Sequence, residues 1–214
     1  MRIAMINGSP KLEKSNSGFM LDKLEPLINA GNEITRYNIN KKPLAEGQYI
    51  ELCHADTLVF AFPLYVDAIP SHLLRLMVTL EGYIKREAKK EIYVYVIVNN
   101  GFFEGRQNHI ALEIMENWCI RCGLHFGWGV GQGAGEMLGS LQNVPMGHGP
   151  LKNLGGAMES LANDIRTQSK GKSMLFSPNF PRFAWRIGGT HFWHGAAKKN
   201  GLKKKDILRK AAAY

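Results

Sequence analysis

Residues 57–62 read TLVFAF and residues 92–98 read IYVYVIV, two runs without a charged side chain. Short runs rich in β-branched and aromatic residues are typical of strands. A strand that is apolar on both faces has to be covered on both faces, as the central strands of a parallel sheet are. These two segments therefore predict a sheet with helices on either side.

Other strands and helices are predicted around this pair. Further strand-length apolar segments are residues 2–6, 33–39 and 124–130. Helical apolar spacing is found within residues 19–28, 73–84 and 110–118, and a last helix is expected from Pro150 to about residue 167. Strands that alternate with helices form right-handed βαβ units. We predict an α/β, doubly wound domain, residues 1–168, with five parallel strands in the order 2-1-3-4-5.

The remaining residues, 169–214, are predicted to be a basic, aromatic C-terminal extension. The whole chain of 214 residues has a net charge of +9, yet residues 169–214 contain 11 Lys and Arg against one acidic residue. Such an asymmetry suits an anionic partner, whether nucleic acid, a membrane surface or an acidic protein, although a solvated basic helix has the same composition. Our hypothesis is that residues 177–194, which contain most of its aromatic side chains, pack on the α/β domain of the same chain or of a second copy and help to form the wall of the substrate site.

Composition also bears on location and on redox chemistry. No apolar segment approaches the ~18 residues that a membrane span needs, and residues 1–6 do not resemble a signal peptide, so we expect a cytoplasmic protein without a transmembrane segment.

The three cysteines are Cys53, Cys119 and Cys122. Cys119 and Cys122 form a CxxC at the end of a helical pattern, where packing is a better interpretation than a redox pair or a metal site.

The first loop, residues 7–17, reads NGSPKLEKSNS and follows the first strand. Its polar residues come immediately before a helix, where free N–H groups and the helix dipole favour an anion. We predict a phosphate site formed by Ser9, Lys11, Ser15, Asn16 and Ser17. The alternative is that Ser17 simply caps the helix.

Two more loops are expected at the same edge of the sheet. The second, after residues 57–62, contains Pro63, Leu64, Tyr65 and Val66, whose N–H groups and aromatic ring could face a planar heterocycle. The third, after residues 92–98, contains Asn100, Gly101, Phe102 and Phe103. In a 2-1-3-4-5 sheet these loops border the crevice where ligands bind.

The first loop lacks the glycine spacing of a dinucleotide site. No GxGxxG follows the first strand, and the glycine-rich residues 129–135 come after the last predicted strand. The GxxxxGK[ST] pattern is absent as well. A monophosphate is the better prediction for the anion.

The segments GSPKLEKSNS, residues 8–17, and FPLYVDAIPSHLLRLM, residues 62–77, resemble two motifs of the NADPH-dependent FMN reductase family. The resemblance covers about residues 1–165. It implies a flavodoxin-like fold, bound FMN and homodimers that complete each other's active sites. By position it places the FMN phosphate at Ser9, Lys11 and residues 15–17, the isoalloxazine edge at residues 63–66 and its pyrimidine side at residues 100–103. Lys11 stands where the family more often has Arg, and the cysteine cluster of the related iron-sulfur flavoproteins is absent, so no metal cluster is predicted.

The same resemblance implies an oxidoreductase that uses NAD(P)H. A hydride would pass from NAD(P)H through FMN to a small-molecule acceptor, a quinone, a nitro or azo compound or a flavin, in a ping-pong mechanism. No catalytic acid or base is predicted. The alternative is a flavodoxin-like electron carrier that binds FMN without turning over NAD(P)H.

Overall fold

The computed structural model describes residues 1–40, 42–88 and 90–209 of the chain. The strands are β1 Arg2–Asn7, β2 Glu33–Asn38, β3 Thr57–Pro63, β4 Tyr93–Asn99, β5 His125–Gln132 and β6 Met174–Phe176. The helices are α1 Asn16–Ile28, α2 Glu46–Cys53, α3 Ser71–Glu87, α4 His109–Cys122, α5 Lys152–Thr167 and α6 Arg182–Lys199.

All six strands form one parallel sheet in the order β2-β1-β3-β4-β5-β6. The predicted class and the order of the first five strands are correct, but the predicted number of strands is wrong. Strand β6 pairs with the end of β5, with Leu175 opposite Gly131. It has only three residues, too few for a hydrophobic period to be recognised, and it lies in the segment predicted to be an extension.

Helices cover both faces of the sheet. Strands β3 and β4 are buried almost throughout. Apolar residues of α2, α3 and α4 pack on one face, and those of α1 and α5 pack on the other. The expected last helix is present as α5, preceded by a 3-10 turn over Gly149–Leu151. Because the strands are parallel, their carboxyl ends lie at the same edge of the sheet, and every βα connection begins at that edge.

The CxxC is part of this packing. Cys119 and Cys122 are unpaired thiols on the buried side of α4. Burial raises the pKa of the Cys122 thiol to about 11, with a smaller contribution from the Glu81 carboxylate. A thiol of that pKa is protonated at neutral pH and is a poor nucleophile or ligand. The packing interpretation is confirmed.

Residues 169–179 are tied to the sheet by hydrogen bonds as well as by β6. The Tyr95 hydroxyl lies 2.8 Å from the Ser169 carbonyl oxygen, and the Gly171 N–H donates to the Gly127 carbonyl over 3.1 Å. The Gly129 N–H donates to the Ser173 hydroxyl, and the Asn179 N–H to the Pro150 carbonyl. This segment is therefore structurally part of the α/β domain.

The chain divides into two compact units, Met1–Asn179 and Phe180–Tyr214. In the second unit, α6 begins directly after Pro181, and none of its 18 residues is buried. The neighbouring rings of Phe192 and Trp193 meet edge to face, 5.5 Å apart. Within the described ranges no helix is both long enough and apolar enough to cross a bilayer.

The unit boundary leads to a prediction about truncation. A chain that ends at Asn179 keeps every hydrogen bond of residues 169–179, so we expect it to unfold cooperatively with a free energy close to that of its domain in the full chain. A chain that ends at Gln168 loses the four anchors named above and the β5–β6 hydrogen bonds as well, and we expect it to be less stable by at least ~4 kcal/mol, at ~1 kcal/mol for each hydrogen bond lost. Urea denaturation followed by circular dichroism compares the two. Equal midpoints would contradict a structural role for β6.

Candidate functional site

A cavity of about 270 Å³ opens at the carboxyl edge of the sheet, between the loops that follow β1, β3 and β4. Its lining residues are Ser9, Lys11, Asn16, Ser17, Pro63, Leu64, Tyr65, Asn99, Asn100, Gly101 and Glu136. The three predicted loops therefore converge on one site, as the order of strands requires.

The N-terminus of α1 contributes backbone donors to this cavity. Ser15 is the N-cap residue, and its hydroxyl accepts a hydrogen bond from the Gly18 N–H over 3.0 Å. The Ser15 carbonyl accepts from the Phe19 N–H. The N–H groups of Asn16 and Ser17 precede the first helical hydrogen bond and form none within the described residues. Asn16 and Ser17 line the cavity, so two free donors and the positive end of the helix dipole adjoin it.

The cap is Ser15 and not Ser17, which was the alternative considered from sequence. Ser17 lies in the first turn, is 1% exposed, and accepts a hydrogen bond from the Asn99 side-chain amide over 3.2 Å. Ser15, which was predicted to bind phosphate, is occupied by its capping role and does not line the cavity.

The start of the first loop is held by short-range hydrogen bonds. The Asn7 side chain accepts from the Ser9 N–H over 3.1 Å, and the Ser9 hydroxyl accepts from the Lys11 N–H over 3.3 Å. Ser9 is almost completely buried, whereas Lys11 is exposed. The loop therefore presents one fixed hydroxyl and one movable cation to the cavity.

The second loop is a tight hairpin. Tyr65 and Ala68 exchange two backbone hydrogen bonds of 3.0 Å, and Val66 and Asp67 between them both have positive φ values, 48° and 58°. The Leu64 N–H donates to the Asn99 carbonyl over 2.7 Å. The predicted use of the Leu64 and Tyr65 N–H groups towards a ligand is therefore wrong, because the protein already uses both. Val66 is 98% exposed and lies outside the cavity lining.

The third loop contributes Asn100 and Gly101 to the cavity. Asn100 is 3% exposed, and its side-chain N–H₂ donates to the Glu104 carbonyl over 3.2 Å. Its side-chain oxygen is buried and has no hydrogen-bond donor among the described residues. Phe102 and Phe103 do not line the cavity; the Phe102 carbonyl accepts from the Ala134 N–H, and Phe102 is half exposed.

Sequence reasoning missed two lining residues, Asn99 and Glu136. Asn99 is the last residue of β4, and its position next to Asn100 at a predicted strand end was an available signal. Glu136 lies in a 3-10 turn over Gly135–Ser140 after β5, with its carboxylate beside Gly101. No sequence pattern indicated that this turn folds back over the third loop.

His72, in the first turn of α3, adjoins the first loop at Gly8. Burial lowers the pKa of its imidazole, an effect opposed by the Gly8 backbone and reinforced by the nearby Arg75 guanidinium. Its Nε2 atom is buried without a hydrogen-bond partner in the described ranges. The imidazole is accordingly neutral at pH 7 and adds no charge next to the loop.

The capping role of Ser15 can be separated from ligand binding. We expect Ser15→Ala to lower the free energy of unfolding of the ligand-free chain by about 1 kcal/mol, since the Gly18 N–H loses its acceptor. Ser15→Asn, which keeps a side-chain acceptor at the N-cap, serves as the matched control and should restore most of that stability. Urea denaturation measures both variants. An alanine variant as stable as the parent would contradict the assignment of the cap.

No family model matches the chain, and no curated protein matches it in sequence. Solved structures do match it in fold. An FMN-dependent NADH-azoreductase from Bacillus anthracis, in complex with FMN, has a TM-score of 0.54 at 15% identity, over 77% of this chain and 99% of its own. An NADH:FMN oxidoreductase in its apo form gives 0.61 at 14% identity, over 86% and 98%. A WrbA-like flavodoxin from Agrobacterium tumefaciens gives 0.54 at 13%, over 79% and 99%. At these identities the likeness establishes that the chain has a flavodoxin-like fold.

Proposed function

We propose that the chain is an FMN-dependent NAD(P)H oxidoreductase. The observation that carries the proposal is one cleft whose lining combines the N-terminal residues of α1, two buried serines and a lysine with a tyrosine and with Asn100, whose side-chain oxygen is buried and unpaired among the described residues. FMN has the matching chemistry, a phosphate at one end and a planar ring with an N–H at the other. The names of the structures with this fold, an FMN-dependent NADH-azoreductase and an NADH:FMN oxidoreductase, support the same function.

The phosphate is proposed to lie at the N-terminus of α1. The Asn16 and Ser17 N–H groups, the Ser9 and Ser17 hydroxyls and the Lys11 ammonium group supply hydrogen-bond donors and one positive charge. Hydrogen bonds to an ionised acceptor are stronger than neutral ones, and the helix dipole adds to them. The donor set therefore suits a monophosphate.

The ring is proposed to lie between the second and third loops. Pro63, Leu64 and Tyr65 offer apolar and aromatic surface on one side. The Asn100 side-chain oxygen offers a buried acceptor, with Gly101 beside it. An acceptor that has no donor within the described residues is costly unless a ligand supplies one, and the ring N–H of a flavin has the required polarity.

Bound FMN would accept a hydride from NAD(P)H and pass it to a quinone, a nitro or azo compound, or a free flavin. The chain itself would bind the phosphate, orient the ring and leave one open face. A single open face that receives NAD(P)H and the acceptor in turn suits a ping-pong order. We assign no acid or base, because no step of this chemistry ties a proton transfer to Glu136 or to another residue lining the cavity.

The cofactor proposal predicts binding and turnover. The chain should bind one FMN, and the loaded protein should oxidise NADH or NADPH anaerobically when a quinone is present. We expect Lys11→Ala to weaken FMN binding about fivefold at low salt, and less at high salt, because an exposed charge is worth ~1 kcal/mol or less. Lys14→Ala, in the same loop but outside the cavity, is the matched control. Fluorescence titration measures affinity, and absorbance at 340 nm measures turnover.

Two results would contradict this proposal in different ways. A chain that binds FMN but oxidises neither nucleotide with any acceptor would be an electron carrier of the flavodoxin kind. A chain that binds no FMN at all would remove both functions.

A homodimer is proposed as part of this function. On α3, Leu74 and Val78 are 47% and 64% exposed and lie one turn apart, and Ile110 of the adjacent α4 is 40% exposed. Apolar side chains exposed together on adjacent helices favour a protein interface. The hairpin at Val66, with its side chain fully exposed, follows β3 and leads into the same helix α3.

The interface proposal predicts a dimer that depends on α3. Light scattering at micromolar concentration should give twice the chain mass, and Val78→Lys should weaken dimerisation at least tenfold by placing a charge in an apolar interface. Leu27→Lys changes an exposed apolar residue of α1, on the opposite face of the sheet, and should leave the mass unchanged. A monomeric parent chain with FMN bound would contradict the proposal.

We also propose an anionic partner for the second unit. Residues 180–214 contain nine Lys and Arg against one Asp. The aromatic side chains of Phe183, Phe192 and Trp193 on α6 are 60–70% exposed. Basic charge combined with exposed aromatic surface suits an acidic macromolecular surface better than a small-molecule ligand.

A further inference from the structure

Asn99 makes three hydrogen bonds, which join β4 to two other segments around the cavity, the start of α1 and residues 62–64. Its side-chain N–H₂ donates to the Ser17 hydroxyl over 3.2 Å and to the Phe62 carbonyl over 3.3 Å. Its own carbonyl accepts from the Leu64 N–H over 2.7 Å. Asn99 is 3% exposed, so these bonds form out of water, where their polarity matters most.

The orientation of the Asn99 amide is fixed by the Phe62 carbonyl. A backbone carbonyl can only accept a hydrogen bond, so the N–H₂ group and not the side-chain oxygen has to face it. The same N–H₂ group then directs its second hydrogen at the Ser17 oxygen. If the amide were flipped, the Asn99 side-chain oxygen would face the Phe62 carbonyl oxygen, and neither atom could donate a hydrogen bond.

The orientation of the Asn99 amide determines where the Ser17 hydroxyl can direct its own hydrogen. A hydroxyl has one hydrogen, and an oxygen that accepts from a neighbouring N–H points its own hydrogen elsewhere. Within residues 1–40, 42–88 and 90–209, the Ser17 hydroxyl donates to no acceptor. Ser17 lines the cavity, and so its hydrogen is available to a ligand there.

We infer that Asn99 is a positioning residue that makes the Ser17 hydroxyl a donor towards the cofactor phosphate, an inference that rests on the proposed function. Asn99 itself bonds to protein groups and acts on the ligand through Ser17. Its role is to set the direction of one hydrogen bond, so that the Ser17 hydroxyl presents its hydrogen and not a lone pair to an anion. The site thereby favours a phosphorylated flavin over the same flavin without phosphate.

The test compares the affinities of the full chain for FMN and for riboflavin, which differ by the phosphate alone. We expect the parent chain to prefer FMN. Ser17→Ala should reduce that preference about 10–100-fold, the range for one hydrogen bond to a charged acceptor. Ser17→Thr, which keeps the hydroxyl, should retain most of it. Riboflavin affinity, which monitors the folded site, should change little in either variant.

Asn99→Asp reverses the polarity of the bond. A carboxylate accepts from the Ser17 hydroxyl and draws its hydrogen away from the cavity, so the preference for FMN should fall by at least the Ser17→Ala factor. The new carboxylate would also repel the phosphate directly, independently of the Ser17 hydroxyl. The double variant Ser17→Ala, Asn99→Asp separates the two effects, because the part that acts through the hydroxyl disappears when the hydroxyl is absent.

Non-additive losses in this cycle support the inference, and strictly additive losses overturn it. If Asn99→Asp fails to bind riboflavin, Asn99→Ser takes its place, since the shorter side chain cannot reach both Ser17 and the Phe62 carbonyl. An unchanged FMN preference in Asn99→Ser overturns the inference while the proposed function stands. A parent chain that binds FMN without preferring it to riboflavin overturns the inference together with the proposed phosphate site, and a parent chain that binds neither flavin overturns the proposed function itself.

Discussion

Strands β3 and β4 are buried on both faces. The apolar side chains on both faces have to be shielded from water, and this constraint determines where the other elements lie. Residues such as Val59 and Val96 have no exposed surface, so helices have to pack on each side of the sheet. Parallel strands connected by right-handed crossovers then end at a common edge. The loops after β1, β3 and β4 meet at that edge because these three strands are parallel neighbours in the sheet.

At that edge, polar residues that are adjacent in sequence have separate tasks. Ser15 caps the helix through the Gly18 N–H, whereas Asn16 and Ser17 line the cavity. Ser17, two residues later, is held by Asn99 from another strand. A serine-rich loop is therefore more than a set of equivalent phosphate donors: one hydroxyl stabilises the protein, and another is presented to the cavity.

The features that could be predicted from sequence depend on local patterns. The continuous apolar runs of β3 and β4, the helical periods and the polar loop before α1 gave the fold class and the position of the cavity. The features that were missed depend on contacts distant in sequence. Strand β6 is recognisable only by its pairing with β5. The Leu64 N–H is used by the Asn99 carbonyl of the neighbouring strand β4, and the Tyr65 N–H is used because Val66 and Asp67 form a turn with positive φ without the glycine that usually signals one. In the sequence, Asn99 is only the residue that follows a predicted strand. Its hydrogen bond to Ser17, which is distant in sequence, is visible only in the structure.

The glycine-rich residues 129–135 show how such contacts are made possible. From sequence they suggested a nucleotide motif with the wrong spacing, and the structure gives them a packing role. A Cβ atom on Gly133 would collide with the Phe103 carbonyl, and one on Gly135 would lie 2.7 Å from the Asn99 side-chain oxygen. A methyl group at either place would push the third loop away from the sheet. Without side chains here, β5 and the turn after it pack directly against the loop that contains Asn99 and Asn100. These glycines thus determine where the two asparagines of the cavity can be.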